Sequence, residues 1–299
     1  MEYKNIDLDR IAKHLLDNIE SKVQKAGIFY RIFHRCKTSN SLKSKLCIKD
    51  ENGLDKYTLN SKLIQDVIGI RLNLYFMDDL TLVTSFLKKS LQEYFLDETI
   101  DYNHATEFKP TRINLVFKLP KDYMQEFREI IKDKRIDSTY ELQIRTIFSE
   151  GWHEVEHDLR YKCKKDWENH HDLSRTFNGM LAALETHEWG MLQMFERLAF
   201  EQYKRDELNA MLRNKLRIRI HSFPIDNNLQ SLFDNNKVLL KKIFKVDRQE
   251  VIFLLLKCEN NFPKTITNII YLINFFIIKD EDLLAKTPEI LISKFNQIN

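Results

Sequence analysis

Between Tyr140 and Thr146 the chain reads YELQIRT, and period-two alternation puts Glu141, Gln143 and Arg145 on one face of a strand with Leu142 and Ile144 on the other. A carboxylate, an amide and a guanidinium in a row over an apolar underside suit a metal-phosphate site. The Glu can hold Mg²⁺ or take a proton, and the Arg neutralises phosphate oxygens. The plain alternative is a solvated strand face. A second carboxylate opens the segment DVIGIR, which runs from Asp66 to Arg71. Because Mg²⁺ takes one or two protein carboxylates and completes its shell with water and phosphates, Asp66 is the candidate second ligand. Strict alternation puts Asp66 and Arg71 on opposite faces, so a shared site requires a bulge or twist, for which Gly69 is the candidate.

Upstream, the segment from Arg35 to Leu46 (RCKTSNSLKSKL) mixes cations with small hydroxyls, a composition that suits a triphosphate cradle. It lacks the glycines of a P-loop, and a solvated basic helix is the alternative. After Thr146 the spacing predicts a helix with Trp152, Val155 and Leu159 as its apolar stripe. Glu150, His153, His157 and Tyr161 share the opposite face. Residues His153 to His157 (HEVEH) also satisfy the zinc-hydrolase pattern HExxH, although no third ligand stands at a familiar spacing. The dipeptides His157-Asp158 and His171-Asp172 likewise lack further spaced ligands.

The elements that must position these groups follow from pattern. Helical periodicity is expected over 7–26, 80–95 and 147–217, and strands over 66–76, 112–119 and 140–146, which together imply a mixed sheet flanked by helices. Turn-forming residues at 222–228 mark the break between a domain over 1–222 and an all-helical region over 223–299, where three or four short helices are expected. Hydrophobic residues make up 43% and charged residues 30% of the 299 residues, which excludes intrinsic disorder. A net charge of +3 gives no global attraction to nucleic acid, so basic clusters count only locally. Four cysteines without CxxC spacing argue against a disulfide framework and fit free thiols in a reducing, cytoplasmic setting. The apolar run from Ile266 to Ile278 is too short to span a bilayer and reads as a buried helix.

Taken in order, the motifs resemble the synthetase domain of the RelA/SpoT family over roughly residues 10–200. They are RxK followed by SxxxK (Arg35, Lys37, Ser41, Lys45), DxxGxR (Asp66 to Arg71), ExQxRT (Glu141 to Thr146) and WxxxEHxxxYK (Trp152 to Lys162). That family makes (p)ppGpp alarmones by moving pyrophosphate from ATP to the 3′-hydroxyl of GDP or GTP. The resemblance implies an α+β, nucleotidyltransferase-like fold. Arg35, Lys37, Ser41, Lys45 and Arg71 would bind ATP, and Asp66 and Glu141 would carry Mg²⁺ and the catalysis. Arg112, Asn114, Gln143, Arg145, Glu150 and His157 would surround the acceptor.

Two positions depart from the family pattern. Where the family has GYxSxH, with a Tyr that stacks on guanine, this chain reads Lys109 to Asn114 (KPTRIN), with Pro110 and Asn114 at the Tyr and His positions. An Arg that covers adenine is replaced by Ile48. Three readings follow: alarmone synthesis with altered base choice, pyrophosphorylation of tRNA 3′-CCA ends as in toxic small members of the family, or a nucleotide-binding module without catalysis. Glu150 could still accept from guanine N–H groups. The basic clusters 160–165 and 213–219 could meet a tRNA backbone. The helical region 223–299 could serve a homo-oligomer or a regulatory protein.

Overall fold

The structure is a computed structural model and describes residues 5–101, 112–220, 225–259 and 262–298. They fall into two compact units, the first comprising Met1–Glu20, Tyr30–Tyr75 and Leu87–Glu185, the second Ser21–Phe29, Phe76–Phe86 and Thr186–Asn299.

The first unit is built on five strands, β1 (Tyr30–Cys36), β2 (Ile68–Leu74), β3 (Phe95–Asp101), β4 (Arg112–Lys118) and β5 (Thr139–Thr146), in the spatial order β1-β2-β5-β4-β3. Only β2 and β5 run parallel. Alternation explains their place at the centre, because Ile68, Ile70, Leu72 and Leu74 of β2 and Leu142 and Ile144 of β5 are wholly buried on one face. Helix α1 (Asn5–Val23) adds Leu8, Ile11, Leu15 and Ile19 to the buried residues, and α4 (Lys121–Ile130) adds Phe127. Burial of each such side chain contributes roughly 1.5–3 kcal/mol before entropy is subtracted. The architecture is α+β, a mixed sheet flanked by helices with an all-helical C-terminal region, in line with the sequence.

Some elements differ from expectation. Helix α3 (Asp79–Ser90) stops short, and Phe95 opens β3 instead of closing the helix. Strands β1 and β3 show no clean alternation because each is an edge strand with one neighbour. β1 mixes Arg31, His34 and Arg35 among half-buried positions, and β3 is half acidic (FLDETID). The register of β2 with both neighbours is unbroken, so Gly69 forms no bulge.

In the second unit, six helices follow residue 225: α9 (Asn227–Asn235), α10 (Lys237–Lys245), α11 (Arg248–Lys257), α12 (Ile266–Ile273), α13 (Glu281–Ala285) and α14 (Glu289–Phe295). Three or four were expected. The extra breaks fall at Asn236, Asp247, Thr265 and Asp280, each of which caps the next helix through its side chain. Apolar residues continue across these breaks, so periodicity alone does not separate the pieces. The run 266–278 is α12 continued by a π-turn over Asn274–Ile278, and its residues up to Asn274 are largely buried. No helix among the described residues is long and apolar enough to cross a membrane. The four cysteines are all free.

Candidate active site

The face of the sheet opposite the apolar underside carries the chemistry. In register across it, Arg35 of β1 stands beside Gly69 of β2 and Glu141 of β5. The next row is Phe33, Arg71, Gln143 and Asn114. Asn73 and Arg145 follow. Arg71 spreads over the Phe33 ring and donates from Nε to Gln143 Oε1 at 3.0 Å. Gln143 in turn donates to Glu141 at 2.8 Å. The alternation read from YELQIRT is therefore the structure's own, with Leu142 and Ile144 buried beneath.

Asp66 is not part of β2, which begins at Ile68. Strand alternation does not govern it, so it reaches the same side as Arg71 without any bulge. The segment is tied down where the Lys37 backbone N–H donates to the Val67 carbonyl at 2.9 Å. Asp66 Oδ2 accepts from Lys45 Nζ at 2.6 Å and lies 3.1 Å from Lys37 Nζ. Its other oxygen, Oδ1, is buried with no hydrogen-bond partner. Burial pushes this carboxyl up, but Lys37 and Lys45 outweigh burial and leave it below the usual carboxylate range. Glu141 lacks such partners, and burial raises its pKa, Asp66 adding to the effect while Gln143 opposes it.

Lys45 is carried by α2 (Ser39–Leu46), whose N-terminus is capped by Thr38 Oγ1 accepting from the Ser41 N–H at 3.2 Å. Arg35, Lys37, Asp66, Arg71, Glu141, Gln143, Arg145 and His157 line one cavity of about 420 Å³. Ser41, Lys45, Arg112, Asn114 and Glu150 do not line it. Ser41 is an exposed residue within the cap of α2, and Lys45 acts through Asp66. Asn114 pairs with Gln143 in register, with its Oδ1 buried and unpartnered. Lys109, Pro110 and Thr111 lie outside the described residues.

Glu150, on α5 (Ile147–Glu156), is 4% exposed, and both of its oxygens are taken, one by Arg71 at 2.6 Å and the other by Arg145. It orients two arginines and presents no free acceptor to the cavity. Arg71 also donates to Glu154 at 2.9 Å. Glu154 and His153 line the cavity and were not among the site residues drawn from the sequence. The signal for Glu154 was its position one helical turn beyond Glu150. Of the expected apolar stripe only Trp152 is buried, stacked on Phe177 at 5.0 Å, while Val155 and Leu159 are 46% and 63% exposed. Burial of Glu150 and the turn toward the arginines override hydrophobicity here.

His153 and His157 have ring centroids 6.0 Å apart, yet no group of three or more His, Cys, Asp or Glu among the described residues is arranged for a metal ion, so HEVEH gains no third ligand. Burial and then the charges of Arg145 and Arg112 drive the His153 pKa down to about 3, a neutral imidazole. His157 packs flat on Tyr161 and contacts Asp158, which also takes Lys162 at 2.6 Å. Of the two basic clusters, the first has Arg160 bound to Asn178 at 2.7 Å and stacked on Phe177. In the second, Arg217 is 5% exposed and paired with Asp78.

Mg²⁺ itself needs only one or two carboxylates. Asp66 and Glu141 share the cavity, and the unpartnered buried Asp66 Oδ1 is the lone pair a hard cation would take, so the residues fit that ion.

The protein is thus an α+β chain whose mixed sheet carries a charge-lined cleft on one face, two acids among several cations. Residues 34–166 match the family model described as "Region found in RelA / SpoT proteins". Solved structures similar to it include small alarmone synthetase 1 from Bacillus subtilis, at 16% identity over 62% of this chain and 92% of that one, with a TM-score of 0.42. Small alarmone synthetase 2 from the same organism has 20% identity over 64% and 96%, with a TM-score of 0.41. A GTP pyrophosphokinase family protein from Streptococcus pneumoniae has 21% identity over 62% and 87%, with a TM-score of 0.43. No curated protein sequence matches the chain.

Proposed function

We propose that this protein is a Mg²⁺-dependent pyrophosphokinase that transfers the β,γ-pyrophosphate of ATP to the 3′-hydroxyl of a guanine nucleotide. The observation that carries the proposal is the convergence of Asp66 and Glu141, distant in sequence, on one cavity with Arg35, Lys37, Arg71 and Arg145. The RelA/SpoT region over 34–166 supports the same reading.

In this reading Arg35, Lys37 and Arg71 bind the ATP phosphates, with Arg71 exchanging Glu154 for a phosphate oxygen, and Lys45 positions Asp66. Asp66 and Glu141 would hold Mg²⁺, which when bound supplies neutralisation of phosphate charge. The acceptor oxygen forms a bond to the β-phosphorus as the bond from that phosphorus to the α,β-bridging oxygen breaks, and AMP leaves with the bridging oxygen. Glu141, with its proton affinity raised by burial, receives the hydroxyl proton. Gln143 holds Glu141 in place. Arg145 and His157, on the cavity wall, face the acceptor, with Arg112 and Asn114 on the adjoining strand.

The test is incubation of the purified protein with Mg²⁺ and ATP labelled at its γ-phosphate, with GDP, GTP, ATP or deacylated tRNA supplied in turn. Label on GDP or GTP is the expected result. Label on tRNA would replace the acceptor, and label on nothing would leave a binding module. Asp66→Asn and Glu141→Gln are each expected to abolish transfer with the circular-dichroism spectrum unchanged. Full activity in either variant removes that carboxylate from the mechanism.

A further inference from the structure

The second unit contains a cavity of about 680 Å³, within the range that takes small molecules. Two aromatic side chains stand at its wall. Trp189 of α7 (His171–Lys204) is 56% exposed, a large indole face given to solvent. Phe244 is backed by Tyr203 in a stack at 4.5 Å. Lys215 of α8 (Leu208–Leu216) sets its ammonium 5.1 Å from the Phe244 ring centroid and makes no ion pair among the described residues.

The floor is polar and incompletely satisfied. Arg217 pairs with Asp78, and Arg248 pairs with Asp79 at 2.6 Å and with Asp78 at 3.2 Å. The Arg217 side chain is only 3% exposed, yet its Nε has no hydrogen-bond partner, and neither has Asp78 Oδ1. A buried donor and a buried acceptor left unmade cost about 1–3 kcal/mol each. Arg217 is also held at φ 48°, left-handed and uncommon for a residue with a Cβ. Of the remaining carboxylates at the wall, Asp247 caps α11 through its side chain, and Asp247 and Glu196 both attract the Lys215 ammonium without pairing with it. Lys215 therefore feels both carboxylates but spends none of its N–H donors on an ion pair among the described residues.

We propose that this cavity binds a small planar aromatic anion, its ring against Trp189 and Phe244 and its anionic group at Lys215 and Arg217. The ring faces supply stacking area, the ammonium supplies the counter-charge, and an acceptor on the ligand meets the orphan donor. A nucleoside monophosphate and an aromatic carboxylate share this chemistry. The proposal is independent of pyrophosphate transfer.

Anilinonaphthalene sulfonate, a fluorescent aromatic anion, tests it on the full chain. Saturable fluorescence enhancement with one equivalent bound is expected, with affinity about tenfold weaker in Trp189→Ala and in Lys215→Gln. Trp189 is solvent-exposed, so its variant keeps the fold, and circular dichroism confirms this for both. Displacement by AMP or GMP identifies a nucleotide as the source of the chemistry, and displacement by indole-3-carboxylate an aromatic acid. The proposal is overturned if binding does not saturate, if both variants bind as the parent does, or if neither class of competitor displaces the probe.

Discussion

Arg71 Nη1 sits between two glutamates, Glu150 at 2.6 Å and Glu154 at 2.9 Å. These partners differ in kind. Glu150 is buried and shared with Arg145, whereas the Glu154 side chain is 59% exposed. An exposed pair contributes about 0–1 kcal/mol, so in the proposed reaction a phosphate arriving at Arg71 would displace Glu154 readily and Glu150 hardly at all. Glu154→Gln should therefore lower KM for ATP by about two- to fivefold at unchanged kcat, from the loss of an exposed competitor. Steady-state kinetics check this, and an unchanged KM would show that Glu154 does not compete. His153 gives a second prediction. Its folded pKa of about 3 lies below the unfolded value near 6.5. Above that upper value both states are neutral and the residue contributes nothing to pH dependence. As pH falls, the unfolded chain takes up a proton that the folded chain refuses, so stability declines until about pH 3. Urea midpoints of His153→Gln should gain on the parent steadily on acidification through this window, and parallel curves would refute the assignment.

At the scale of elements, the two central strands hold the site because their apolar undersides anchor them. Leu142, between Glu141 and Gln143, is wholly buried. Leu142→Ala should cost about 2–5 kcal/mol in urea unfolding, through lost burial and the cavity left behind. A loss below about 1 kcal/mol would mean that the strand is held by something else. What the sequence disclosed about elements follows the same physics. β2 and β5 were legible because burial of one face imposes alternation. The edge strands were not, since one-sided pairing leaves their composition free. Asp66 shares the site as expected but without the bulge that strict alternation demands, because alternation begins only at Ile68, two residues further on. Thr146 was legible only as the end of a strand, yet its hydroxyl caps α5 by accepting from the Ser149 N–H at 3.1 Å, and so fixes where Glu150 begins.

For the whole molecule, the salient feature of the second unit is the buried cluster of Asp78, Asp79, Arg217 and Arg248. Arg248 Nε also donates to the Leu216 carbonyl at 2.8 Å, so this one side chain fastens the end of α8 to the start of α3. Burial raises the Asp79 pKa even against the pull of Arg248, which marks the desolvation cost of the pair. Removing one partner strands the other, and Asp79→Ala should cost about 3–5 kcal/mol. Thermal and urea unfolding measure it, and a loss under about 1 kcal/mol would make the pair ornamental.

Local rules acting along the chain settled a good deal: which residues alternate over a strand, which lie one helical turn apart, and the ordered motifs that mark the RelA/SpoT region. Those rules depend on the geometry of a few neighbouring residues and need no knowledge of what lies across the sheet. Only the tertiary structure decided that Glu150 spends both oxygens on arginines and that Val155 and Leu159 face outward. The same holds for Arg217, drawn from an apparent basic surface into a buried ion cluster. Each of these turns on desolvation, and whether a charge or a methyl group leaves water depends on segments far away in the chain.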